Sequence, residues 1–211
     1  MKHRSPLITL AAVAVAFLIM FVVNMLASPP GNSSTGTASP PAAASPTASE
    51  SADDDDKFPE EVVYAGRAED DADAIAVAVL GDQATAYFCD GRNVESWFRG
   101  TVEGDDISLR SKSGATLEAR ADGDHIKGSV RINDDTVKFE IDEATKPAGL
   151  YRARGSKITI GWIVLEDGSQ VGIQTTDAVS SAAPQLDPEK PQVTVDGENL
   201  NAAPISGAED L

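Results

Sequence analysis

The sequence predicts an all-β domain, a meandering antiparallel barrel or sandwich of about 8–11 short strands, preceded by one transmembrane helix. Apolar and polar residues alternate with a period of two through most of residues 58–178, which is typical of strands with one buried face. Pairs of turn-forming residues separate these runs at hairpin spacing. An apolar run near the N-terminus has the length of a membrane span.

The predicted membrane span is the run from Leu7 to Ala27, which only two polar residues interrupt. At ~1.5 Å per residue, such a helix crosses the ~30 Å hydrocarbon core of a bilayer. Lys2 and Arg4 precede it, so the positive-inside rule predicts cytoplasmic residues 1–6, a signal anchor over 7–27 and an extracytoplasmic remainder. A cleaved signal peptide is the alternative, although its apolar core would be shorter.

Two segments beside the β domain have the composition of disordered chain. Residues 28–57 consist mainly of Ser, Thr, Pro, Ala and Gly with an acidic end, which predicts a solvated stalk. Residues 179–211 are again rich in Ser, Ala and Pro and carry acidic residues, which predicts a disordered acidic tail. The folded part is therefore expected to comprise residues 58–178.

The β domain is expected to hide the edges of its strands by closure or by two-layer packing, because tight hairpins connect them. A barrel fits this pattern first and a sandwich second. Inward glycines at Gly100 and Gly128, each followed by a tight acidic turn, are typical of sheets that curve. The core is expected to include Val130, Phe139, Ile141 and Trp162. The predicted strands are 62–68, 74–80, 84–89, 94–103, 106–111, 115–121, 125–132, 136–142, 149–154, 157–165 and 170–175.

Charge and cysteine content exclude several classes of protein. The chain has a net charge of −17, so nucleic acid is excluded as a bulk partner because phosphate binding needs a surplus of basic residues. Flat docking on an anionic lipid surface is disfavoured for the same reason. Cys89 is the single cysteine, so the domain has no disulfide scaffold, and its apolar neighbours predict a buried thiol.

The sequence contains no recognisable catalytic or metal-binding motif. His125 is the only histidine of the predicted domain, and it lies in phase with solvent-facing residues. Acidic pairs at the hairpin tips have the composition of ordinary turns and lack the spacing of a calcium loop. We therefore assign no catalytic residue, no metal ligand and no cofactor. A pair of carboxylates in a cleft would be the remaining route to an enzyme.

A basic stripe is the most informative surface pattern of the sequence. Hairpin pairing is expected to place Arg110 opposite Thr116, Thr116 opposite Arg131, and Arg131 opposite Lys138. Arg120 and Lys127 would form a second pair nearby. Like charges on facing strands cost stability, so the stripe predicts a ligand-binding site for an anionic group formed by Arg110, Arg131 and Lys138. A solvated face whose charges meet nearby carboxylates is the alternative.

Three segments carry a family resemblance. Tyr64–Arg67, Ala148–Ala153 and Gly161–Leu165 resemble membrane-anchored extracytoplasmic β-domain proteins of high-GC actinobacteria. The resemblance covers the β domain but neither the stalk nor the tail. It implies an extracytoplasmic location and carries no activity that could be transferred to a residue of this chain.

Together these observations favour a membrane-anchored, non-enzymatic binding or interaction module of the cell envelope. Its partner would be an envelope component or protein that the sequence does not identify. The alternative is a calycin-like barrel that carries a small apolar ligand. Four aromatic residues would then line the barrel mouth: Tyr87, Trp97, Tyr151 and Trp162.

Overall fold

The computed structural model describes residues 58–211, which form β structure without a helix. Within this range no helix has the length and apolar character that crossing a membrane requires. The predicted cytoplasmic residues 1–6, anchor 7–27 and stalk 28–57 lie outside the described residues, so they stay predictions.

The first eight strands form one antiparallel sheet in which every strand pairs with its neighbours in the chain. Two isolated backbone bridges, Tyr64 to Glu143 and Ala68 to Phe139, link its first and last strands. The sheet is therefore a nearly closed barrel. Its strands are β1 Glu61–Arg67, β2 Ala74–Leu80, β3 Gln83–Cys89, β4 Glu95–Glu103, β5 Asp106–Ser111, β6 Thr116–Asp122, β7 His125–Ile132 and β8 Asp135–Asp142.

A second antiparallel sheet and a separate hairpin complete the fold. The second sheet has the strand order β12-β11-β10-β9-β15, and the hairpin consists of β13 and β14. The strands are β9 Gly149–Arg154, β10 Ile158–Val164, β11 Gln170–Thr176, β12 Val179–Ala182, β13 Gln192–Val195, β14 Glu198–Asn201 and β15 Ala203–Pro204.

Residues 179–211, predicted to be a disordered tail, instead form four strands: β12 and β15 join the second sheet, and the β13–β14 hairpin packs on that sheet. Leu186 and Leu200 are buried there against Trp162. The indole Nε1 of Trp162 donates a hydrogen bond of 2.7 Å to the carbonyl of Pro184. The composition predicts disorder, but most of the apolar side chains of this segment pack against one face of the second sheet: Leu186, Val193, Val195, Leu200 and Ala202. The folded part therefore extends to residue 211.

Three layers of buried side chains hold the fold together. The first fills the barrel and includes Val130, Phe139 and Ile141, as the alternation predicts. The second lies between the outer surface of the barrel and the second sheet, and the third lies between that sheet and the β13–β14 hairpin. Trp162 belongs to the third layer, so its predicted burial is confirmed although its neighbours are not those of a barrel interior.

Burial on both faces explains the most apolar strands of the sequence. Almost every residue of β2 and β3 is buried, because one face of each strand points into the barrel and the other meets the second sheet. Strands β5–β8 keep the alternating pattern of one buried and one solvent-exposed face. The barrel therefore has one covered side and one open side.

The two inward glycines allow neighbouring strands to approach closely. A Cβ at Gly100 would lie 2.0 Å from the carbonyl oxygen of Ser108, and one at Gly128 would lie 2.4 Å from that of Glu118. Any side chain at these positions would push the paired strands apart. The curvature that the glycines predict is thus present where β4 meets β5 and where β6 meets β7.

Candidate functional site

The open face is the solvent-exposed outer surface of β5–β8, together with the second half of β4. The second sheet covers the outside of β1–β3, so among the barrel strands of residues 58–211 it is this face that presents a broad surface to solvent. The three predicted site residues Arg110, Arg131 and Lys138 lie on the open face, and all three are exposed.

Pairing registers place three arginines in one line across this face, which we call the basic row: Arg99, Arg110 and Arg131. Arg99 pairs directly with Arg110, and Arg110 pairs with Thr116. Thr116 in turn pairs with Arg131. With strands spaced ~4.8 Å apart, Arg110 and Arg131 lie about 10 Å from each other. No acidic residue interrupts the row.

The predicted pairings Arg110–Thr116 and Thr116–Arg131 are confirmed, but the pairing of Arg131 with Lys138 is wrong. Arg131 faces Thr136, and Lys138 faces Ser129. The two-residue turn after β7 makes Ile132 pair with Asp135, and that pair determines the register of the whole hairpin. Lys138 is a diagonal neighbour of Arg131, at a separation of ~7–8 Å.

Arg99 is the member of the basic row that the sequence prediction missed. The signal was present, because the tight turn at Gly104-Asp105 pairs Glu103 with Asp106. Counting back along both strands from that pair brings Arg99 opposite Arg110. The same reasoning that located Arg131 would have found it.

A second basic pair on the open face is neutralised by carboxylates. Arg120 faces Lys127, as predicted. Arg120 lies 3.0 Å from Asp105, while Lys127 lies 2.7 Å from Asp122. The hydrogen bond from Lys127 lowers the pKa of Asp122, and the same bond raises the pKa of Lys127. This pair therefore behaves as an ordinary solvated charge cluster.

The three predicted site residues lack such partners. Within residues 58–211, Arg110, Arg131 and Lys138 form no ion pair or side-chain hydrogen bond. Glu118 lies two residues along β6 from Thr116, the residue that faces both Arg110 and Arg131. Its carboxylate instead accepts a hydrogen bond of 2.7 Å from Ser108. Carboxylates of the same face thus leave these three cations unneutralised.

At its β4 end the basic row continues into an arginine cluster formed by Arg99, Arg152 and Arg154. Arg152 and Arg154 belong to β9, whose residues 150, 152 and 154 alternate with residues buried under the hairpin. Asp210 joins two members of the cluster. Its Oδ1 lies 3.1 Å from Nη1 of Arg99, and its backbone carbonyl accepts a hydrogen bond of 2.8 Å from Nη2 of Arg154.

Arg152 is the least satisfied member of the cluster. Its guanidinium carbon lies over the ring of Trp97, 4.4 Å from the centroid. Its Nε and Nη1 atoms are buried and have no hydrogen-bond partner within the described residues, and neither has Nε1 of Trp97. Burial lowers the pKa of Arg152 to about 10, and the charge of Arg154 acts in the same direction.

The four aromatic residues expected at a barrel mouth lie elsewhere. Tyr87 and Trp97 stack on each other between the barrel and the second sheet, with ring centroids 4.2 Å apart. Tyr151 and Trp162 lie on the opposite face of the second sheet, beneath the β13–β14 hairpin. Buried side chains pack inside the barrel. One cleft of about 260 Å³ lies outside it, beside β1, and another of about 630 Å³ lies on the open face between β4, β5, β6 and β7.

The remaining reactive groups offer no catalytic arrangement in the described part of the chain. Cys89 is a free thiol and fully buried, and burial raises its pKa to about 12. His125 lies between Asp122 and Glu140, with its Nε2 at 3.4 and 3.5 Å from their oxygens. Among residues 58–211, no three His, Cys, Asp or Glu side chains gather in a way that could hold a metal ion.

Comparisons with known proteins give no further guide to this site. The chain matches no protein-family model, and no curated protein or solved structure is detectably similar to it. The resemblance to actinobacterial envelope proteins therefore stays a prediction from the sequence.

Proposed function

We propose that this protein is a membrane-anchored, extracytoplasmic and non-enzymatic binding module whose open face binds an anionic group of a cell-envelope component. One observation carries the proposal. Within residues 58–211, Arg110, Arg131 and Lys138 form no ion pair and lie on the broad strand surface that the second sheet leaves uncovered. An anionic ligand would supply the counter-charge that residues 58–211 do not supply there.

The electrostatic cost of the basic row supports this interpretation. Arg99 and Arg110 face each other directly, and like charges on facing strands destabilise a sheet. A chain with twice as many acidic as basic residues has ample carboxylates to offset such repulsion. It does so for Arg120 and Lys127, whereas Arg110 and Arg131 face threonines. A binding role explains why the repulsion is retained.

The proposed location rests on the sequence of residues 1–57. The apolar run over 7–27 would anchor the chain, and the stalk over 28–57 would hold the folded part at a mean distance of ~30 Å from the bilayer. The full-length protein should stay with membranes during an alkaline carbonate wash. A mature N-terminus within the stalk would contradict the anchor.

Charge reversal tests the binding role. In the full-length protein, the double variant Arg110→Glu/Arg131→Glu should lose at least ten-fold in retention on isolated envelope material. Both side chains are exposed, so urea melts should show an unchanged fold. Wild-type retention should fall steeply with salt, because exposed ionic contacts are screened over ~10 Å at ~0.1 M salt.

A matched control separates a specific site from bulk charge. Arg92→Glu/Lys190→Glu makes the same change in net charge at exposed positions outside the open face. It should be retained like the wild type. We call Arg110→Glu/Arg131→Glu the row variant. The proposed function would be overturned if the row variant were retained as well as the wild type. It would also be overturned if Arg92→Glu/Lys190→Glu lost as much retention as the row variant.

A further inference from the structure

The last residues of the described chain reach the basic row across the covered side of the barrel. After β15, Ile205 is buried and its backbone nitrogen donates to the carbonyl of Leu150 at 2.9 Å. The carbonyl of Gly207 then accepts a buried hydrogen bond of 2.8 Å from Thr85 on β3. The segment ends at Arg99 on β4, where Asp210 forms its ion pair.

The buried part of this segment ends at Gly207, and the Asp210 side chain beyond it is exposed. Glu209 folds back to accept backbone hydrogen bonds of 2.7 and 2.8 Å from Ser206 and Gly207. The side chain of Asp210, by contrast, is 99% exposed, and that of its partner Arg99 is 44% exposed. Exposed ion pairs contribute little to stability. Asp210 can therefore leave Arg99 without disturbing the packing that begins at Ile205.

The arginine cluster has more donors than Asp210 fills. Within the described residues, Asp210 is the one carboxylate that forms an ion pair with any of Arg99, Arg152 and Arg154. Asp210 contacts one nitrogen of Arg99 and one of Arg154. Each guanidinium has five N–H donors, so a ligand with more acceptors can form more hydrogen bonds to these two arginines than Asp210 does.

The contacts to residues 210 and 211 resemble the recognition of an acidic peptide. Arg99 binds a side-chain carboxylate, while Arg154 binds the backbone carbonyl of the same residue. The Nζ of Lys112 donates to the backbone carbonyl of Leu211. A carboxylate combined with successive backbone carbonyls is a pattern that peptides have and that phosphate groups lack.

On the basis of the proposed function, we infer that the ligand of the basic row is an acidic peptide segment of a partner protein, and that Asp210 is an intramolecular competitor at the Arg99 end of the row. The partner's carboxylates bind Arg110 and Arg131, and the partner displaces Asp210 to reach Arg99 and Arg154. Release of Asp210 thus regulates how much of the row is available.

Fluorescence anisotropy with a labelled hexa-aspartate peptide tests this inference on the purified full-length protein. Asp210→Asn should bind the peptide about two- to five-fold more tightly than the wild type, the range expected from losing one exposed ion pair. Asp196→Asn makes the same charge change at an exposed turn and should bind like the wild type. A labelled hexa-asparagine peptide should bind to none of them.

The possible results separate this inference from the proposed function. If the row variant Arg110→Glu/Arg131→Glu loses envelope retention but Asp210→Asn binds the peptide no better than Asp196→Asn, Asp210 is not a competitor. If the row variant retains full binding to both envelope and peptide, the proposed function itself fails. If polyphosphate or glycerol phosphate displaces the envelope component while hexa-aspartate does not, the ligand is a phosphate group and the peptide assignment is overturned.

Discussion

Gly161 on β10 lies flat against the side chain of Trp97 on β4: a Cβ at Gly161 would be 2.7 Å from Cζ2 of that indole. Tyr87 approaches the same point equally closely. Gly161 pairs with Arg152 on β9, whose guanidinium lies over the ring of Trp97. The missing side chain at position 161 therefore creates the space in which the two sheets meet and Arg152 is held.

Gly161→Ala should consequently destabilise the fold. The added methyl group would meet two rings that packing holds in place, so we expect a loss of about 1–3 kcal/mol in the free energy of unfolding. Urea melts measure it. Gly155→Ala is the control, because the atoms nearest to its Cβ would be those of the Glu198 carboxylate, at the far end of a flexible side chain. Equal losses in the two variants would show that the ring contact is not the cause.

Phe139→Ala should create a cavity in the barrel. The ring is 2% exposed and packs among the interior residues of the first layer. Its removal should cost about 3–5 kcal/mol, a large part of the stability of a small domain. Val179→Ala, at a side chain that is 70% exposed, should change the stability by less than about 0.5 kcal/mol. A loss below about 1 kcal/mol for Phe139→Ala would contradict the observed packing.

Cys89 should be inert in the folded protein. Burial raises its pKa to about 12, so almost no thiolate exists at pH 8, and reagents cannot reach the sulfur. A disulfide reagent should detect no thiol in the native state and one in urea. Val94→Cys, placed at an exposed position, should make one thiol react in the native state. Rapid native labelling of the wild type would mean that this part of β3 opens.

Asp90 should contribute stability that depends on pH. Its Oδ1 accepts backbone hydrogen bonds of 2.8 to 2.9 Å from Arg92, Asn93 and Val94. Burial alone would raise its pKa, but these bonds and the charge of Arg92 outweigh it, so the pKa is lowered from 3.8. A lowered folded-state pKa means that the contribution is complete above pH 3.8 and is lost as the pH falls below it.

Asp90→Asn tests this contribution through urea melts between pH 7 and pH 2. The wild type should be more stable by about 1 kcal/mol at pH 7, and the difference should disappear at the acid end. Asp134→Asn, at an exposed turn position, is the matched charge control and should show a smaller difference. A difference that stays constant down to pH 2 would show that the carboxylate charge is not responsible.

The strand pattern of residues 58–178 could be predicted because it depends on neighbours in the chain. The predicted strands 74–80, 106–111, 125–132 and 149–154 coincide with β2, β5, β7 and β9, and each of the other seven overlaps one of the remaining strands of β1–β11. Alternation and turn residues determine these elements locally. The same alternation predicts which residues of each strand point into the barrel, and the burial of Val130 and Phe139 confirms that prediction.

The candidate site was predicted in part. Arg110 and Arg131 were placed in one row correctly, because the turns of their hairpins determine the register. Lys138 lies two residues along β8 from Thr136, the residue that faces Arg131, because the pair Ile132–Asp135 at the turn determines the register. The arginine cluster could not be predicted, since Arg99 and Asp210 are 111 residues apart in the chain.

The sequence by itself determined the all-β class, the order of the first eleven strands and which of their faces is apolar. These properties follow from alternation and turn chemistry over a few residues. Only the tertiary structure decided that the second sheet covers one side of the barrel, that the segment after residue 178 folds on that sheet, and that Asp210 reaches Arg99. Such contacts depend on how apolar faces from distant parts of the chain pack together. The alternation of apolar and polar residues within one strand does not determine which of these faces pack against each other.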